Sequence, residues 1–197
     1  LAAGTCPFAR RDVFPPGARV AYTDLSPFML SRAPSLSPDL RVAANALALP
    51  FKGPFDLCLM IYDAFNYLMD GQDALRCLRE AHRVLRPGGV LAIVDLDFTV
   101  GPYGAWLRAD LPRYDPAAVE RFFAGQGFDQ RRITSTWGFP DRPTLEAVLK
   151  IEFAPATAAR ASAETRGLTI EVGYRLHTRR RPAGLITSRR CTAPAPR

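Results

Sequence analysis

RVLRPGGVLAIVD, residues 83–95, is the stretch that decides the fold class. Just upstream, Ala74, Leu78, Ala81 and Leu85 recur at helical spacing, with Asp70 placed to cap that helix. Pro87 ends the helix, and Gly88 and Gly89 can take the positive φ of a tight helix-to-strand reversal. Residues 90–94 are then apolar throughout, the pattern of a strand buried on both faces. FDLCLMIY, residues 55–62, has the same character. Two such strands joined through a helix specify a right-handed β-α-β unit and a parallel sheet.

Working outward, RVAY (19–22) and LRVAA (40–44) read as two more strands. Between them, Ser26 caps a helix with Pro27 at its first position and Met29 and Leu30 on its apolar face. The second half changes style. DPAAVERFFAGQGF (115–128) is an amphipathic helix, and QRRITSTWG (130–138) is a strand. In LTIEVGYRLH (168–177), Leu168, Ile170, Val172, Tyr174 and Leu176 alternate with other residues, as expected of a half-exposed strand at or near a sheet edge. A helical insertion, about 139–167, separates these two strands. It carries helices near 144–151 and 156–165 and an apolar stripe of Leu145, Val148, Leu149 and Ile151, with Phe153 just beyond. Residues 182–197 are proline-rich and weakly apolar, and are expected to form a disordered basic tail after a domain spanning 1–181.

Bulk properties narrow the class. The chain has 197 residues, enough for one domain of about 150 residues with additions. Apolar residues make up 48%, and no run approaches the ~18 needed for a membrane span. Arg10 and Arg11 interrupt the mildly apolar opening, so it does not read as a signal peptide. Cys6, Cys58, Cys77 and Cys191 are far apart with no CxxC spacing, which points to reduced thiols in the cytoplasm and to no metal site. The net charge is +7, but Arg175, Arg179, Arg180, Arg181, Arg189, Arg190 and Arg197 crowd the end of the chain. Without them the domain is near neutral, so a nucleic-acid partner is not demanded.

In an open parallel sheet, ligands bind beyond the carboxyl ends of the strands. Gly4, Thr5 and Cys6 fall there after an expected first strand, Asp24 after the second, and Asn45 and Ala46 after the third. Ile61, Tyr62 and Asp63 follow the fourth strand and Asp95 the fifth. An acid ending the second strand suits ribose hydroxyls, or else a helix cap.

LAAGTC, YTDLSPFML, ANALALPF, FDLCLMIYDAFNYL and RVLRPGGVLAIVD come in the order and spacing of one family. Over roughly residues 1–98 the chain resembles the class I S-adenosylmethionine-dependent methyltransferases. The resemblance implies a Rossmann-like α/β sheet, mostly parallel with an antiparallel last strand, and S-adenosylmethionine as cofactor. A dinucleotide dehydrogenase has no reason to carry RPGG at that step. By the resemblance, Gly4 and Thr5 belong to the glycine loop beside the cofactor's methionine part. Asp24 holds the ribose, and Leu25 and Met29 line the adenine. Asn45, with Ala46 and Leu47, stands where the family's acid accepts from the adenine amino group. Met60, Ile61 and Tyr62 flank the cofactor, and Asp63 is the candidate base. The sequence departs at Ala2 and Cys6, which occupy the outer glycine positions, and it opens on Leu1 inside an incomplete first strand.

The expected function is methyl transfer to a small-molecule acceptor by a monomer or homodimer. Two alternatives are a degenerate methyltransferase-like structural or interaction domain and a nucleic-acid methyltransferase. The second is disfavoured because no Asn/Asp-Pro-Pro-aromatic tetrapeptide is present. Of the remaining candidates, Asp56 reads as structural, and His82 and His177 as surface residues. Phe65, Tyr67, Tyr103 and Trp106 read as divided between pocket wall and core.

Overall fold

The computed structural model describes residues 1–4, 14–32, 40–61, 64–68 and 71–183. Its elements run β1 (Ala21–Asp24), α1 (Pro27–Ser31), β2 (Leu40–Ala43), β3 (Phe55–Met60), a 3-10 turn (Ala64–Tyr67), α2 (Gly71–Val84), β4 (Leu85–Leu96) and α3 (Gly101–Asp110). There follow α4 (Pro116–Gly125), β5 (Asp129–Gly138), α5 (Arg142–Glu152), α6 (Pro155–Glu164) and β6 (Thr169–Arg180). Among the described residues no helix is long and apolar enough to cross a membrane.

β1 and β2 pair in parallel, and a four-stranded sheet has the order β3-β4-β6-β5. β3 and β4 are parallel, while β6 runs antiparallel to both β4 and β5. This is a Rossmann-like α/β arrangement, with the helical insertion before the last strand. Residues 1–3 stand between the two sheets. The Leu1 nitrogen donates to the Leu59 carbonyl at 2.6 Å, and the Ala3 N–H donates to the Thr23 carbonyl at 2.7 Å.

The Arg-Pro-Gly-Gly step does more than stop a helix. β4 begins at Leu85 rather than at residue 90, because residues 86–89 bulge within the strand. Across that bulge β3 advances from Phe55 to Leu57 while β4 advances from Leu85 to Val90. Gly88 takes φ +78°. A Cβ on Gly89 would lie 2.9 Å from the Arg86 carbonyl and 3.0 Å from that of Phe55, so only glycine fits. The end of β6 closes over the bulge: Gly88 N–H donates to the Arg181 carbonyl at 2.9 Å, and Arg181 N–H to that of Gly89 at 2.8 Å.

The sheet is covered on both faces. One face buries Met60, Leu91 and Ile93 beneath α2 and α4, whose Cys77, Leu78, Ala81 and Phe123 complete that core. The opposite face of β6 presents Ile170 and Val172 to Tyr103 and Trp106 of α3 and to Leu145 and Leu149 of α5. The buried aromatics in this layer are also hydrogen-bonded. Tyr103 Oη–H donates to Glu152 at 3.0 Å and Trp106 Nε1–H to Glu164 at 2.6 Å.

Three particulars depart from expectation. α3 has no counterpart in the sequence reading, because Gly101, Pro102 and Gly104 disguise it. Gly104 is required by close approach, since a Cβ there would sit 2.8 Å from the Asp97 carbonyl. Ile151 is exposed, outside the buried stripe of Leu145, Leu149 and Phe153. β6 runs on to Arg180 rather than ending at 177, so Arg175, Arg179 and Arg180 all lie in it. The Arg180 guanidinium donates to the Gly88 carbonyl at 2.6 Å, and that of Arg181, just past the strand, caps α2 at the His82 carbonyl at 3.0 Å. The expected cap Asp70 and residues 184–197 lie outside the described residues.

Leu149 is fully buried on a face that packs within the chain. Leu149→Ala should therefore cost about 3 kcal/mol and lower Tm by roughly 6–12 °C in a chain of this size, as read by calorimetry. The sedimentation coefficient should stay unchanged. A folded monomer released from a larger species would mean that this face is an interface instead.

Candidate cofactor crevice and a neighbouring buried cluster

Asp24 closes β1 and ties the local backbone together. Its Oδ2 accepts the Gly4 N–H at 2.8 Å, and its Oδ1 accepts the Ser26 N–H at 2.8 Å. Ser26 in turn caps α1 by accepting from Met29 N–H at 3.3 Å. A carboxylate offers about four lone-pair sites, so this half-buried group keeps acceptor capacity after holding both turns. Gly4 reaches Asp24 through a left-handed backbone, φ +54°. Ala2 adopts φ +50° in the same turn, where an L side chain is strained by about 1–2 kcal/mol.

Beside this carboxylate lies apolar surface that the core does not use. Leu25 is 73% exposed, Phe28 64% and Met29 37%. Apolar side chains gathered next to a polar anchor are the usual makings of a ligand wall. Asn45, exposed after β2, makes a tight turn. Its Oδ1 accepts the Leu47 N–H at 2.9 Å, and its backbone carbonyl accepts from Ala48 at 3.0 Å. Ala46 and Leu47 behind it are partly buried against the main core.

The end of β3 behaves differently from expectation. The Met60 side chain is buried, with its sulfur 3.8 Å from Cys77 Sγ. Met60 can thus face the crevice only through its backbone. Ile61 is half-buried at the strand end. Thr5, Tyr62 and Asp63 lie outside the described residues. Of the four aromatics weighed for a pocket wall, Phe65, Tyr103 and Trp106 are core, whereas Tyr67 is 81% exposed.

A second polar cluster forms where β4 ends. Asp97, almost fully buried, accepts from the Thr99 N–H at 2.8 Å and pairs with Arg175 at 2.7 Å and Arg132 at 3.3 Å. Burial raises its pKa, but the Thr99 hydrogen bonds and Arg175 more than offset this and hold it below the usual carboxylate range. Arg175 also pairs with Glu120 of α4.

His177 is 1% exposed, which overturns the surface assignment. It shares a face of β6 with Arg175, and α4 covers that face, stacking the Phe123 ring on the imidazole at 3.8 Å between centroids. Its Nε2 lies 3.9 Å from Asp95 Oδ2. Burial, and then Arg175, push its pKa down to about 4. The sequence carried only one signal for this: β5 beyond β6 pairs the latter's second edge and makes it an interior strand, whose faces helices can cover. His82, by contrast, is exposed on α2, as its helical position implied. Asp56 is structural, paired with Arg86 at 2.5 Å.

Comparison with known proteins settles the family. Residues 1–93 match the methyltransferase domain. A demethylmenaquinone methyltransferase of Thermus thermophilus is 37% identical over 158 residues, covering 62% of this chain and 69% of that protein. The chain belongs to the S-adenosylmethionine-dependent class I methyltransferase family.

A malonyl-acyl-carrier-protein O-methyltransferase of Dechloromonas aromatica is 43% identical over 83 residues, which are 42% of this chain and only 29% of that relative. In structure, the chain resembles an S-adenosylmethionine-dependent methyltransferase of Thermotoga maritima with a TM-score of 0.56 at 16% identity. That match covers 90% of this chain and 79% of the other, and it speaks for the fold alone.

The buried imidazole sets a pH dependence. Its folded pKa of about 4 lies below the 6.5 of an ordinary histidine, so between these values the unfolded chain binds the extra proton. The contribution of His177 is therefore fully present above pH ~6.5 and is lost as pH falls toward ~4, by up to about 3 kcal/mol. Denaturant titrations at pH 7 and pH 5 should show a loss that His177→Leu largely removes. An equal pH slope in the variant would show that His177 is not held neutral.

Proposed function

We propose that this methyltransferase domain binds S-adenosylmethionine at the crevice around Asp24 and passes its methyl group to a small-molecule acceptor. The observation that carries the reading is the Asp24 carboxylate. It is fixed by Gly4 and Ser26, keeps acceptor sites in hand, and stands beside the exposed Leu25 and Met29. The residues suit the cofactor. Two vicinal ribose hydroxyls match the spare acceptor sites, and the apolar wall suits adenine. A Cβ at Gly4 would meet Met29 Cε at 3.8 Å, so the apolar wall already borders this backbone. Asn45, Ala46 and Leu47 take the adenine edge in this reading, with Thr5, Ile61, Tyr62 and the Met60 backbone along the methionine part.

When bound, S-adenosylmethionine supplies a sulfonium-activated methyl group. The chain's own work is to orient the acceptor for in-line attack and to exclude water. Asp63 is our candidate to take a proton from an oxygen or nitrogen acceptor, and we assign the exposed Tyr67 to the wall of the acceptor side. The two relatives named above are called after malonyl-acyl-carrier protein and demethylmenaquinone, which supports an acceptor other than nucleic acid. One feature favours the alternative of a fold retained without turnover: Ala2 occupies a left-handed position in the glycine loop.

Calorimetry with S-adenosylhomocysteine tests both readings. Asp24→Ala removes a charged acceptor and should weaken binding by about 2–3 kcal/mol, roughly 30- to 150-fold, with Asp24→Asn between. Circular dichroism confirms that each variant is folded. Unchanged affinity in Asp24→Ala would remove Asp24 from the site, and no binding by the parent chain would favour the retained-fold alternative.

A further inference from the structure

β5 is an edge of the four-stranded sheet, bonded to β6 on one side and to no strand among the described residues on the other. It is long for an edge, ten residues, and its register with β6 is unbroken from the pair Asp129 and Thr178 to the pair Gly138 and Thr169. One further bond fixes which backbone groups face outward. Phe139 N–H donates to the Leu168 carbonyl at 2.9 Å, in the same register as the ladder. Odd-numbered residues of β5 therefore turn their N–H and C=O toward β6, and Arg132, Thr134, Thr136 and Gly138 turn theirs outward. Thr134, Ser135 and Thr136 are all exposed, so that row of donors and acceptors is open. Sheets guard such an edge with charge, proline or a bulge. Here Asp129, Arg131 and Arg132 guard the lower end and Pro140 stops the upper one, but residues 133–138 carry none of these devices.

We propose that residues 133–138 pair with the same stretch of a second copy of this chain, antiparallel about a two-fold axis at Ser135. Backbone, side chains and charge each select this occupant. In the backbone, Thr134 exchanges both of its bonds with the partner's Thr136, and Arg132 exchanges both with the partner's Gly138. The next outward pair would need an N–H from Pro140, so the ladder ends there. In side chains, Ile133, 42% exposed, falls opposite the partner's Trp137 in a non-hydrogen-bonded pair, where side chains approach most closely. Trp137 is held ready by Tyr103, 5.2 Å away between ring centroids, and by its Nε1–H bond to Tyr174 at 2.8 Å. In charge, antiparallel pairing lays the positive end of one strand along the negative end of the other. The exposed Arg131 comes toward the partner's Asp141, which caps α5. Arg132, on the opposite face, comes toward the partner's Glu171 across Gly138, where a Cβ would meet nothing within 4 Å. The two Arg132 residues stay about 20 Å apart along the strands, too far to repel strongly. Pairing of this kind closes at two copies and does not propagate. It joins two four-stranded sheets into one, with β4 and the partner's β4 running in opposite directions, so the two carboxyl-end crevices open at opposite edges. The inference rests on this edge, not on what binds at Asp24.

Sedimentation of the whole chain over about 1–200 µM tests it. The chain should pass from monomer to dimer within that range and go no further. Thr134→Pro removes an outward N–H and no bond to β6. It should weaken dimerisation at least about tenfold, while Tm in dilute solution stays within about 2 °C of the parent. Ser135→Cys sets two thiols opposite each other at the axis, and mild oxidation should yield a covalent dimer. Neither the parent chain nor the double variant Thr134→Pro, Ser135→Cys should do so. A chain that stays monomeric throughout would overturn the proposal and leave the edge to a foreign strand. A dimer that survives Thr134→Pro, or that resists cross-linking at Ser135, would also overturn it, because the contact would then lie elsewhere.

Discussion

Two neighbours of opposite direction hydrogen-bond β4, β3 in parallel and β6 antiparallel. A strand as apolar as VLAIVDL cannot face water on either face, and a buried backbone must be paired on both edges. Much of the molecule follows from satisfying those demands at once. α2 and α4 cover one face, and α3, α5 and α6 the other. β6 must return between β4 and β5, which makes the long excursion through α5 and α6 a covering layer rather than a loop. The glycine bulge at residues 86–89 lets helix pass into strand within two residues, and the end of β6 staples it shut.

That same arrangement separates two polar sites of different character. Around Asp24, hydrogen bonds hold the turns while apolar side chains remain exposed, so the surface is prepared for something to bind. Around Asp97, the carboxylates of Asp97 and Glu120, Arg175 and Thr99 are consumed by one another, with the imidazole of His177 stacked on Phe123 of α4 beside them. The second cluster locks β4 to β6 and to α4. Its buried ion pairs are costly to break singly, which suits a joint more than a reaction centre. Three of the seven arginines that suggest a polyanion partner in the sequence serve here, as with Arg175, or as caps on carbonyl oxygens, as with Arg180 and Arg181.

What could be read in the sequence was what local chemistry dictates. Proline and paired glycines mark the end of α2, unbroken apolar runs mark β3 and β4, and Asp24 follows a short strand at the crevice. What could not be read depended on neighbours far along the chain. His177 looked solvent-facing because alternation in β6 reveals one covered face and says nothing of α4 on the other. α3 was hidden because Gly104, which breaks helical propensity, is demanded by the approach of Asp97. β3 was read as buried on both faces, whereas a cleft beside β1 leaves Leu57 open. In the site, Asp24 and Gly4 were legible by spacing, but the hydrogen bond between them, twenty residues apart, was not.

The central claim is that the cofactor sits at the carboxyl ends of β1 and β2 and not over the buried cluster at the end of β4. Backbone amide shifts during titration with S-adenosylhomocysteine test this most directly. The account predicts saturable shifts at Gly4, Leu25, Ser26, Asn45 and Leu47, with His177, Thr99 and Arg175 unmoved. Shifts confined to Asp97, Thr99 and Arg175, with Gly4 and Ser26 silent, would contradict it.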